Sequence, residues 1–162
     1  MKDIISVILS VFFLVASFPL SSAKPLQWNQ FRGPNGDGDA KNSDLPVSFS
    51  NKKNLTWSTP FTGKAWSSPV VSDGIIWATN AKEDGKRLWA HQFDWKTGNE
   101  LKKILVFKNT NPQHCHPMNS YATPTPVISG GIVFLHFGAH GTAALNANTV
   151  SYTHLRAHET QR

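Results

Sequence analysis

The 162 residues carry 16 lysines and arginines against 10 acidic residues, a formal net charge of +6, with one cysteine, Cys115. A lone cysteine excludes an internal disulfide framework. The lysines are spread along the chain, with only Lys52-Lys53, Lys86-Arg87 and Lys102-Lys103 adjacent. That spread reads as a solvated surface and excludes a nucleic-acid footprint, which needs cations clustered on one face.

At the N-terminus, Ile4 to Leu20 is almost wholly apolar, follows Lys2 and runs into Ser21-Ser22-Ala23. An apolar run shorter than the roughly 20 residues a spanning helix prefers, ending in small residues, predicts a signal peptide over 1–23. Cleavage after Ala23 would leave a periplasmic or secreted protein with no transmembrane segment. The next segment, Lys24 to Asp44, is rich in Gly, Asn, Asp and Pro and contains Trp28-Asn29-Gln30-Phe31-Arg32-Gly33-Pro34-Asn35-Gly36-Asp37-Gly38. It predicts an ordered loop in which Trp28 and Phe31 are buried. Asp37 and Asp39 resemble part of a calcium loop but lack the remaining ligands and closing Glu of an EF-hand, so they read as a solvated turn. Asn54-Leu55-Thr56 is a formal glycosylation sequon. Leu55 to Pro60 alternates as a strand does, and Pro60 marks its end or an edge position.

The centre of the chain repeats itself. Ser67 to Trp77 reads SSPVVSDGIIW and Pro124 to Phe134 reads PTPVISGGIVF, 57 residues later. A repeat near that period signals a repeat architecture. Each copy predicts two short strands around a tight turn of Gly, Asp and Ser. After the first copy, Asp94 to Gly98 predicts a turn between strands Leu88–Phe93 and Glu100–Phe107, since Asp caps turns and Gly supplies positive φ. Leu145 to Thr149 repeats that turn at an offset of 52 residues. Four short antiparallel strands per unit is the anatomy of a propeller blade, so the expected fold is an all-β propeller of which about two blades are present.

The second copy breaks where the register demands a glycine after Thr149 and the chain has Val150. From there, VSYTHLRAHET resembles a translated sequencing-library adapter. Residues 150–162 are therefore read as non-native, and 24–149 as the N-terminal part of a longer propeller. Such a piece exposes unpaired strand edges.

Together, WNQFRGPNGDG, WSSPVVSDGIIW, the DWKTG turn and NSYATPTPVISGGIVFLHFGAHGTAALNANT resemble exported bacterial β-propeller proteins of the PQQ-binding-like repeat kind (PQQ, pyrroloquinoline quinone). These belong to the quinoprotein alcohol dehydrogenase-like superfamily, which also includes an outer-membrane assembly factor. The likeness covers 26–149. It implies a binding or scaffold module for an unknown protein or small-molecule ligand. One alternative is a PQQ-dependent dehydrogenase whose catalytic residues lie in missing blades; another is a propeller that binds carbohydrate or another polymer. In the dehydrogenases the quinone stacks on a Trp and on a disulfide between adjacent cysteines, with Ca²⁺ held by acidic and amide side chains. No adjacent cysteine pair exists here, so PQQ and Ca²⁺ enter through the resemblance alone and no catalytic residue carries over.

Chemistry by itself singles out a few side chains. His114, Cys115 and His116, with His136 near a strand end, are the metal-ligand candidates, since imidazole and thiolate suit Zn²⁺ or Cu. The competing role for these histidines, and for His140 in the glycine-punctuated Phe137–Thr142 turn, is hydrogen bonding and packing. Of the six tryptophans, five are expected to fill inter-blade core, and Trp66 is the candidate for ligand stacking. No nucleophile, base and orienting group stand at a recognisable spacing.

Overall fold

The computed structural model describes residues 26–40 and 45–155; the signal-peptide segment and residues 156–162 lie outside the described residues. The described chain is all-β, apart from one 3-10 turn at Gly138–His140. Strands β1 (Val70–Ser72), β2 (Ile75–Ala81), β3 (Arg87–Asp94) and β4 (Glu100–Lys108) form one antiparallel sheet in sequence order. Strands β5 (Val127–Ser129), β6 (Ile132–His136), β7 (Thr142–Asn146) and β8 (Tyr152–Leu155) form a second with the same order. Neither sheet closes on itself.

The two sheets share their register. Val70 pairs with Trp77 and Ser72 with Ile75 in the first; Val127 pairs with Phe134 and Ser129 with Ile132 in the second. The turns match as well. Asp73 and Gly74 have φ of 52° and 79°, Gly130 and Gly131 of 55° and 76°, the positive values that a two-residue hairpin turn needs to follow strand twist. Asp94 Oδ1 accepts from the backbone N–H of Lys96 (3.0 Å) and Thr97 (2.8 Å). In the second copy, Asn146 Oδ1 accepts from Asn148 (3.0 Å) and Thr149 (2.9 Å). The expected strands Leu88–Phe93 and Glu100–Phe107 are present, each extended by a residue or two.

One apolar core joins the sheets. Leu88 and Ala90 of β3 are fully buried in the same cluster as Val133 and Leu135 of β6 and Leu145 of β7. Phe107 meets Phe137 edge-on at 5.8 Å, a favoured aromatic geometry. Polar bonds fix the alignment: Ser68 N–H donates to Thr125 Oγ1 at 3.1 Å, and Gln92 Nε2 donates to the Ala147 carbonyl at 3.1 Å. Ser68 and Thr125 are equivalent positions of the two repeats.

Two local expectations are corrected. Leu55–Pro60 is not a strand. It runs as a strap across the first sheet's turn, where Trp57 covers Gly98 and its Nε1 donates to the Trp95 carbonyl at 3.0 Å. Its alternation reflects contact with one surface rather than pairing in a ladder. Phe31, expected in the core, is 60% exposed. The chain turns at Arg32 and Gly33 (φ 61° and 79°), and it is Trp28 that packs, its ring lying where a Cβ on Gly33 would sit.

Candidate functional site

The N-terminal segment lies along the first strands of both sheets. Trp28 exchanges two backbone hydrogen bonds with Val71 of β1, at 2.8 and 2.9 Å. The next residue turns to the other sheet: Ile128 N–H donates to the Asn29 carbonyl at 2.8 Å, and Asn29 Nδ2 donates to the Ile128 carbonyl at 3.0 Å. Two consecutive residues thus tie β1 to β5. Beside them lies a cavity of about 390 Å³ lined by Asn29, Ser72, Asp73, Trp77, Ile128 and Gly130. Asn29 Oδ1 is buried with no hydrogen-bond partner among the described residues. A buried acceptor left without a donor is costly, and it lies on a residue that also lines this cavity.

The remaining loop segments around the N-terminal tie are internally bonded. Arg32 Nη2 donates to the Asp37 carbonyl at 3.1 Å and Asp39 N–H to Asp37 Oδ1 at 2.9 Å. The GDGD stretch is accordingly an exposed turn closed by its own hydrogen bonds.

His114, Cys115 and His116 line a second, smaller cavity of about 110 Å³ with Lys64, Glu83 and Tyr121. The loop is held locally: Met118 N–H donates to His116 Nδ1 at 3.2 Å, and Tyr121 Oη donates to the Gln113 carbonyl at 2.8 Å. His136 is not brought to this loop; its Nδ1 is hydrogen-bonded to Thr142 Oγ1 at 3.0 Å. The ring of His140 lies 5.4 Å from that of Tyr121. Among the described residues no three His, Cys, Asp or Glu side chains gather as a metal site. Trp66 does not line the junction cavity; it is 49% exposed, and its backbone N–H donates to the Ala122 carbonyl at 3.3 Å.

His91 is a functional candidate that no sequence motif marks. It is buried on β3, bonded through Nε2 to Asn80 Oδ1 at 2.8 Å and through Nδ1 to Glu100 Oε1 at 2.5 Å. Phe61 and Phe93 flank its ring. Burial lowers its pKa below the usual imidazole value, against the opposing pull of the Glu100 carboxylate. A histidine within a strand, whose partners lie on the two flanking strands 11 and 9 residues away, belongs to no motif that its own neighbours announce. The network orients β2, β3 and β4, and Asn80 Nδ2 extends it by donating to the Thr62 carbonyl, two residues past the strap.

Comparison with family models and with curated proteins returned no match to this chain.

Proposed function

We propose that this chain belongs to an exported β-propeller of the PQQ-binding-like repeat kind and serves as a binding or scaffold module. The observation that carries this reading is the equivalence of the two sheets: the same strand order, hairpin register and Asx-capped turn recur in the same sequence order. Successive four-stranded sheets packed face to face through one core, with their first strands adjacent, are what blades of a ring require. The junction cavity beside β1 and β5 then falls at the inner end of the blades, where a propeller presents its ligand-facing residues. Fold alone does not assign chemistry.

Two measurements test this. Fractionation of cells expressing the full chain should yield a protein beginning at Lys24 in the periplasmic fraction or medium; a cytoplasmic protein retaining Met1 contradicts export. Titration with PQQ and Ca²⁺, followed by tryptophan fluorescence, should give no saturable quenching. Stoichiometric quenching would instead support the quinoprotein dehydrogenase.

A further inference from the structure

The first sheet carries a basic cleft that the spread of lysines along the sequence conceals. A cavity of about 690 Å³ opens at one end of β2, β3 and β4, lined by Lys82, Lys86, Arg87 and Lys108 together with Trp89 and Asn109. The register creates the crowding. Arg87 stands directly opposite Lys108, and on its other side Lys82 N–H donates to the Arg87 carbonyl at 2.9 Å. Three cations therefore share one row across neighbouring strands, and Lys86 adds a fourth in the hairpin.

Like charges directly opposite one another in a sheet are destabilising. Lys82 has a carboxylate partner, Asp84 at 2.9 Å; among the described residues Lys86, Arg87 and Lys108 form no salt bridge. Protection of an edge strand accounts for lysines on β4, but not for Arg87 on the inner strand or Lys86 in the turn. Asp84 gains from Lys82 and Lys86, but the facing pair Arg87 and Lys108 gives up stability with no carboxylate partner among the described residues.

The cleft has the size of a small-molecule site. Half-buried Trp89 supplies a flat apolar surface, with Lys103 Nζ 5.0 Å from its ring centroid. Thr62, Asn109 and Thr110 add hydroxyl and amide groups at the rim. Single-stranded nucleic acid is held by several aromatic side chains in succession along a basic groove; here one aromatic stands among the cations. We propose that this cleft binds an oligosaccharide bearing carboxylates, with Arg87 and Lys108 pairing its acid groups and Trp89 seating a sugar ring. The proposal stands on the first sheet's own residues and does not depend on the propeller reading.

Calorimetric titration of the full chain with tetragalacturonate tests it. Saturable binding that weakens with added salt is expected, with neutral cellotetraose giving none. The double variant R87Q/K108Q should bind about 10-fold or more weakly, the scale of losing charge-assisted hydrogen bonds. Because the variant relieves the charge row, it should melt at or above the parent temperature in low salt, separating lost binding from lost folding. Unchanged affinity in R87Q/K108Q, or no saturable binding by a parent that melts cooperatively, overturns the proposal. So does a variant that melts well below the parent, which would make the row structural, or tighter binding of an oligothymidylate of matched charge, which would make the ligand nucleic acid.

Discussion

Val150 occupies the position that Gly98 fills in the first repeat, and it has been forced into the same backbone conformation. Gly98 N–H donates to the Asp94 carbonyl at 2.8 Å with φ of 71°; Val150 N–H donates to the Asn146 carbonyl at 2.9 Å with φ of 55°. A β-branched residue in the left-handed region is strained by about 1–3 kcal/mol. Val150→Gly should therefore stabilise the chain by roughly 1 kcal/mol or more, read as a higher denaturation midpoint; an unchanged or lower midpoint would show that the turn is not held in this form. The reverse change, Gly98→Ala, combines the same backbone penalty with collision against the Trp57 ring, and a loss of about 2 kcal/mol or more is expected. The histidines give a pH dependence of definite sign. His91 is lowered by burial first, with Glu100 opposing, and His140 is lowered by burial. A histidine whose folded pKa lies below its unfolded value of about 6.5 binds a proton more readily when unfolded, so its contribution is complete above that value and lost as pH falls through the folded pKa. Thermal melts should show stability declining below about pH 6.5, and His91→Gln should flatten that decline; a parent that gains stability on acidification would contradict the assignment.

At the scale of elements, what could be read in advance was what is local. Asp73-Gly74 and Gly130-Gly131 specify their turns by backbone preference, and β-branched residues on either side specify the strands, so the hairpins and the Asp94–Gly98 turn were legible. Contacts between distant segments were not. Nothing in Leu55–Pro60 distinguishes a strap over Gly98 from a paired strand, because alternation records one buried side and not the identity of what buries it. The charge row was hidden for a related reason: Lys82, Arg87 and Lys108 become neighbours only through the pairing of β3 with its flanks. His91 lay in an apolar strand with no motif around it. The tie made by Trp28 and Asn29 is of the same non-local kind, since Asn29 and Ile128 are 99 residues apart. Asn29→Ala removes the side-chain bond to β5 and should cost about 1 kcal/mol, measured by denaturant titration. It should also raise amide exchange at Ile128 while leaving Val133 and Leu145 protected in the β6–β7 pairing. Equal exchange at Ile128 in parent and variant would show that the backbone bond to the Asn29 carbonyl holds the tie without the side chain.

For the molecule as a whole, the stability of each sheet is borrowed from the other. A short four-stranded sheet buries one face at best, and here Leu88 and Ala90 of one sheet and Val133, Leu135 and Leu145 of the other have no solvent contact only because they share a core. The outer strand β4 remains an edge on which Leu101 and Leu105 are exposed, the surface from which such a protein would self-associate. The propeller reading rests on this face-to-face arrangement of equivalent units with adjacent first strands. Its most direct test is a set of nuclear Overhauser contacts in isotope-labelled protein, between Ile128 and Asn29 and between Ser68 and Thr125, with the intra-sheet pairs Val70–Trp77 and Val127–Phe134 as internal standards. The account predicts that both sets appear together. Intra-sheet contacts without those between the repeats would mean two independent hairpin sheets and no blade-like stacking.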